Sequence, residues 1–241
     1  LLTVTTTQAT SSTWLLEHFI KVGLNSEPEE LVMFLSFTHD LQFHAEGLKK
    51  VGIDIHRPRH LGLFTYIDGC SKLFDTSYGD SRKPGLAHFL SKDIHLWFSL
   101  FDRMATHMQF NHKWTRKPIV IVEGMDVLHA LNVLSAVDIL RFIMDLQEHS
   151  KTCVVSVSGD LSFLQGSTPL ADSQFNLISS LINRSNAVFA LRPLDSGHAH
   201  DVTGTLRISR GGAVNSGSQV DETELQYFIG HGNTSVRLFR R

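Results

Sequence analysis

Apolar residues along the chain alternate between short unbroken runs and stretches where they recur every three or four positions. Each run leads into such a stretch, the pattern of successive βα units around a mainly parallel sheet. "LLTVTT" leads to a helix from Trp14 to about Gly23, with Leu15, Leu16, Phe19 and Ile20 on one face. "LVMFLSF" leads past Thr38 and Asp40, residue types that cap helices, to a helix whose inner stripe is Leu41, His44, Ala45 and Leu48.

"LGLFTYI" precedes a third helix, "SKDIHLWFSLFDRMATHM", with apolar positions at Ile94, Trp97, Phe98, Phe101, Met104, Ala105 and Met108. "PIVIVEGMD" is the most strand-like segment, and the helix after it is predicted to set Leu140, Ile143 and Met144 against the sheet. "CVVSVSGD" and the helix around "FNLISSLI" close a fifth unit. From "AVFALRPL" onward strict alternation takes over in "DVTGTLRISRGG", "ELQYFIG" and "SVRLFRR", which predicts antiparallel strands added to one edge of the sheet. The polar stretches Asp75 to Pro84 and Asn215 to Glu224 read as exposed loops, no repeat or linker appears, and the 241 residues form one α/β domain.

Composition narrows the function classes. A 42% hydrophobic and 19% charged chain folds into an ordinary core, and a net charge of −2 supplies no global field for nucleic acid. Cys70 and Cys153 stand far apart without a metal-ligand spacing, which fits a reducing compartment. Every apolar run stops short of the roughly 18 residues a bilayer span needs. The chain opens on Leu1 inside an apolar run, without Met, the pattern of a sequence trimmed at its start.

The connection between the first strand and first helix stands where a phosphate-binding loop belongs. Such a loop needs glycines that let amides close around phosphate, a lysine, and a hydroxyl for magnesium. "TQATSST" offers hydroxyls alone, and Thr10, Ser11, Ser12 and Thr13 read as a turn and a helix cap. "IVIVEGMD" occupies the place of the strand whose terminal carboxylate holds magnesium, with Glu123 or Asp126 as the acid. Without the lysine, no catalytic residue and no nucleotide cofactor are assigned.

Other motifs exclude more than they suggest. His198, His200 and Asp201 in "GHAHD" lack a second ligand cluster, so no metal is assigned. Neither a G-x-S-x-G elbow nor a G-x-G-x-x-G turn is present, against a serine hydrolase or a dinucleotide enzyme. "SRGG" reads as a β-turn with Arg210 exposed. Arg207, Arg210, Arg237, Arg240 and Arg241 concentrate positive charge in the last strands, and Arg207, Arg210 and Arg237 are the candidates for a subunit interface.

The tail also carries a family likeness. Asp201, Val202, Thr203, Gly204, Leu206, Arg210, Gly211 and Gly212 match a DVTGxLxxxRGG pattern, and Leu238, Phe239 and Arg241 match its RLFxR-like close. In these residues the chain resembles the family of the sixth Elongator subunit, as found in fungi. The resemblance implies a RecA-like three-layer fold with a decayed Walker A sequence, covering residues 1–241. It further implies a hetero-hexameric ring with the fourth and fifth subunits. That ring binds tRNA, works with the catalytic Elongator subunits in wobble-uridine modification, and acts in cytoplasm and nucleus without a membrane.

In a ring of RecA-like domains, loops at the carboxyl ends of strands face the centre, where modest contacts add by multivalency. The loop from Ser158 to Ser173 is therefore the candidate tRNA surface, with Gln165, Ser167 and Thr168 as contacts through hydroxyl and amide groups. The rival reading is an active recombinase-type NTPase with a nonstandard phosphate loop, dependent on Glu123.

Overall fold

The computed structural model describes residues 1–69, 71, 86–88, 97–99, 117–160, 168–197, 199–213, 220–230 and 236–240. Its elements run β1 (Leu2–Thr6), α1 (Thr13–Leu24), β2 (Val32–Ser36), α2 (Leu41–Lys50), α3 (His56–His60), β3 (Phe64–Asp68), β4 (Leu86–His88) and β5 (Ile119–Glu123). They continue with α4 (Asp126–Ala130), α5 (Ala136–His149), β6 (Thr152–Ser158), α6 (Pro169–Arg184), β7 (Ala187–Arg192), β8 (Gly204–Arg210), β9 (Thr223–Ile229) and β10 (Val236–Arg240).

All ten strands join one sheet in the order β10-β9-β8-β7-β1-β6-β5-β2-β3-β4. From β7 to β4 every pairing is parallel, whereas β8, β9 and β10 are added antiparallel beyond β7, as the alternating tail predicts. The chain leaves β1 toward β2 and leaves β5 toward β6 in opposite directions across the sheet. Right-handed crossovers therefore place their helices on opposite faces. In agreement, α1 packs on α2, while α5 packs on α4 and α6. Strands β1 and β6 are neighbours whose chains depart to opposite faces, and the crevice beyond their carboxyl ends is where such sheets hold ligands.

The centre of the sheet is apolar on both sides because both faces are covered. Val32, Met33, Phe34 and Leu35 of β2 are all fully buried, and so are Val120, Ile121 and Val122 of β5. Burial of side chains this size contributes about 1.5–3 kcal/mol each. Cys153 of β6 is a free thiol in this layer, and burial pushes its pKa up to about 12, so it is a packing residue and not a nucleophile.

Several local expectations change. Helix α5 buries Ala136, Ile139, Phe142, Ile143 and Leu146, while Met144 faces out and Leu140 is half-buried. Phe142 takes the inward position because it meets Trp97, with ring centroids 5.9 Å apart. Of the third predicted helix, residues 97–99 are described and helical; the rest lies outside the described residues, as do Cys70, His198 and the stretch 75–84. Strand β4 and the short helices α3 and α4 are additions that the sequence pattern did not mark. Asp40 does cap α2, accepting from the Phe43 amide at 2.9 Å.

The "RGG" segment is not a free turn. Gly211 N donates to Asn186 O, Gly212 N to Ile182 O and Ala213 N to Ser185 O, which lays the backbone flat on the junction between α6 and β7. A Cβ on Gly212 would stand 2.7 Å from the Asn183 carbonyl oxygen, and one on Gly211 would overlap that of Ser185.

Candidate functional site

The β1–α1 connection folds as a closed hydroxyl-rich turn. Thr10 N donates to Thr7 O at 3.0 Å, and the Thr10 hydroxyl lies 3.2 Å from Leu191 O. Gln8 N donates to Asp160 Oδ2 at 3.0 Å. Ser12 stands at the N-cap of α1 without capping it, since its hydroxyl accepts from Ser156 Oγ of β6 at 2.7 Å. Ser11 Oγ accepts from the Thr13 amide at 3.2 Å, so one of the donors that would face an anion is already satisfied. The expected turn is there; the cap is made by Ser11 and not by Ser12.

Across the crevice, Glu123 ends β5 with 3% exposure. Gly124 follows at φ +69°, a left-handed turn that only glycine adopts without strain, and leads the chain away into α4. The Glu123 carboxylate accepts from Thr13 Oγ1 at 3.2 Å on one oxygen. Its other oxygen accepts from Ser36 Oγ at 2.7 Å and Thr38 Oγ1 at 2.9 Å. His44 Nε2 is 3.0 Å from that same oxygen, and His39 Nδ1 is 3.5 Å away.

Burial alone would push the Glu123 pKa up, but hydrogen bonds from His39, His44 and Ser36, with the His44 charge, hold it well below the usual carboxylate range. The supporting residues are fixed in turn. Tyr66 donates to His39 O at 2.6 Å, the His39 ring stacks on Phe43 at 3.9 Å, and the His44 ring lies 4.6 Å from Phe34.

Asp126, the other predicted acid, turns away from this network. It is buried, accepts from Ser158 N at 3.0 Å, and lies 3.5 Å from Gln174 Nε2; desolvation raises its pKa against those contacts. The cleft between Ser12, Thr13, Thr38, Glu123, Asp126 and Ser156 holds about 190 Å³. Ligand pockets of drug or nucleotide size occupy roughly 300–1,000 Å³. An ionised carboxylate beside the helix N-terminus, with no lysine lining the cleft among the described residues, also repels a polyphosphate.

A larger cavity of about 530 Å³ opens between α1, α2 and the β9–β10 pair. Its buried charge is Glu17, which the sequence pattern passed over. Desolvation, then the nearby Glu123 charge, raise its pKa to about 7 against the opposing pull of Lys50. Helix α2 makes room for this side chain at Gly47, where a Cβ would overlap the Glu17 carboxylate.

Of the sequence-predicted contacts, Thr168, Arg207, Arg210 and Arg237 fall among the described residues. Thr168 is the N-cap of α6 and accepts from Ala171 N at 3.2 Å, while Gln165 and Ser167 lie outside the described residues. Arg207, Arg210 and Arg237 are exposed. Arg207 pairs in register with Glu224, and Arg237 with Phe228, so both arginines share one face of the added strands and Arg210 takes the other. Sequence reasoning did not foresee that His39 and His44 converge on Glu123. Their separation by five residues across a loop and a helix start carries no metal-ligand spacing.

Comparison with known proteins adds to the geometry. Residues 1–231 match the family described as Elongation complex protein 6. The Elongator complex protein 6 homolog of Schizosaccharomyces pombe is 28% identical over 204 residues, covering 85% of this chain and 75% of that protein. Elongator complex protein 6 of Xenopus tropicalis is 22% identical over 227 residues, 91% of this chain and 82% of that protein. Among solved structures, a KaiC-like protein from the hyperthermophilic archaeon Pyrococcus horikoshii OT3 superposes with a TM-score of 0.62 and 9% identity, over 99% of this chain and 88% of that one. An uncharacterized protein from Pyrococcus horikoshii, solved with an unknown peptide, gives 0.65 and 13% over 100% and 91%. At these identities the likeness bears on fold, and the fold is RecA-like.

Proposed function

The chain belongs to the Elongation complex protein 6 family, and from that premise we propose that it is a non-catalytic subunit of the Elongator accessory ring. In this reading it alternates with the fourth and fifth subunits in a hetero-hexamer. The ring binds tRNA and supports the catalytic Elongator subunits in modifying the wobble uridine, in cytoplasm and nucleus.

The observation that carries the non-catalytic part is the absence of glycine and lysine from "TQATSST" between β1 and α1. In nucleotide-hydrolysing proteins with a phosphate loop, the hydroxyl at the head of the first helix and a strand-end acid together hold a magnesium ion. Here they bond to each other at 3.2 Å. With "TQATSST" in place of glycines and lysine, the triphosphate grip is gone, and Ser12 bonds to Ser156 of β6 instead.

The structural role then rests on surfaces. The exposed arginines Arg207, Arg210 and Arg237 on the β8–β10 extension are the proposed subunit contacts. Gln165, Ser167 and Thr168, in the sequence between β6 and α6, are the proposed tRNA contacts, and each adds little unless repeated around a ring.

Co-expression with the fourth and fifth subunits tests this reading. A hexamer that retains tRNA on size-exclusion chromatography is the expected product. A chain that stays monomeric beside both partners defeats the ring, and ATP turnover by the chain alone, abolished by Glu123→Gln, favours the NTPase reading instead.

A further inference from the structure

The donors around Glu123 exceed what a carboxylate in a scaffold needs, and two of them are imidazoles. His39 Nδ1, His44 Nε2 and a Glu123 oxygen all lie within 4.8 Å of one another. The individual separations from Glu123 Oε2 are 3.0 Å to His44 and 3.5 Å to His39. A tetrahedral zinc ion with bonds of about 2.0–2.1 Å sets its neighbouring ligand atoms roughly 3.3 Å apart. We propose that His39, His44 and Glu123 form a binding site for a divalent transition-metal ion of the zinc type, at the carboxyl ends of β2 and β5.

The chemistry of the donor set selects the ion. Two imidazole nitrogens with one carboxylate suit zinc or cobalt, whereas magnesium takes an oxygen shell and keeps its waters. A site with three protein ligands leaves a fourth position, and Thr38 Oγ1 stands beside it, 2.9 Å from Glu123 Oε2 and 3.0 Å from His39 Nδ1.

Two features prepare the site. His44 is 1% exposed, and its Nδ1 has no hydrogen-bond partner among the described residues. With no bond holding a proton on Nδ1 among the described residues, the ring can take either tautomer, so Nε2 can present its lone pair to an ion. When the ion takes the Nε2 lone pair, the ring proton resides on Nδ1. Access comes through the 190 Å³ cleft, which is lined by both His39 and Glu123 and is wide enough for an ion though not for a nucleotide.

The inference stands independently of ring assembly, because all three ligands lie in one chain. The test uses the full-length protein, stripped with a chelator and titrated with Zn²⁺, then with Co²⁺ to read the visible bands of a four-coordinate ion. One tight equivalent per chain is expected. His39→Ala, at a half-exposed position and checked for an unchanged circular dichroism spectrum, should weaken it by roughly tenfold or more, while His149→Ala, on the outer face of α5, should leave it unchanged. Glu123→Gln should abolish the cobalt bands if that variant folds; His39→Ala decides the matter if it does not. A wild-type protein that takes up no tight equivalent overturns the proposal, as does one whose tight equivalent survives His39→Ala.

Discussion

Thr13 Oγ1 donates directly to Glu123 Oε1 at 3.2 Å, joining the first turn of α1 to the end of β5 across the carboxyl edge of the sheet. That bond, with those from Ser36 and Thr38, ties α1, the end of β2 and the end of β5 together at one carboxylate. A buried joint of this sort is expensive to break.

Glu123→Ala removes the acceptor shared by Thr13, Ser36, Thr38 and His44 while leaving those groups in place. The expected loss is roughly 2–4 kcal/mol of unfolding free energy, read by urea denaturation. The sign with pH is fixed by the depressed pKa: the contribution of Glu123 is present above its ordinary value of 4.5 and fades as pH falls below it. A change under about 0.5 kcal/mol at pH 7 would mean the network carries no load.

Glu17 behaves in the opposite sense. Its pKa rises from 4.5 to about 7 on folding, so the folded chain holds its proton more tightly, and the stability Glu17 contributes is greatest below pH 4.5 and is lost as pH rises through 7. Glu17→Gln keeps the shape against Gly47 and removes the charge. It should raise stability at pH 8 by an amount on the order of 2–3 kcal/mol and change little at pH 4. A variant as pH-sensitive as the wild type would show that the carboxyl is ionised in place.

The "RGG" segment is predicted to act through packing. Gly211→Ala drives a methyl group into the Ser185 carbonyl and should cost about 1–3 kcal/mol or more in thermal or urea unfolding. Arg210→Ala, exposed at the end of β8, should change stability by less than roughly 0.5 kcal/mol. Equal effects of the two substitutions would contradict the account of a backbone laid on the α6–β7 junction.

Arg207 and Arg237 share a face of the added strands, and alanine at both should impair ring assembly while changing the stability of the isolated chain by less than roughly 1 kcal/mol. Size-exclusion chromatography of the co-expressed subunits, beside a melting curve of the variant alone, separates the two effects. An intact hexamer from the double variant would move the interface elsewhere.

Much of this fold was legible because its strands are buried on both faces and so read as apolar runs, as in "VMFLS" and "IVIVE", while the added strands alternate, as in "TLRISR". The missing lysine and glycines were equally plain. What the sequence hid was convergence. His39 and His44 reach Glu123 only because β2 pairs beside β5, with Ser36 in register with Glu123, and such pairing is a property of topology, not of local spacing. Phe142 and Met144 exchanged places for a similar reason: two positions on one helix turn differ only in what the neighbouring element offers, here the ring of Trp97.

The account depends on the first-helix crevice being closed to nucleotide, and equilibrium binding of ATP with magnesium to the purified chain addresses this most directly. No saturable binding is expected up to millimolar ATP, and Thr13→Ala should not change that. Saturable binding of ATP that requires magnesium and is lost on Glu123→Gln would contradict it.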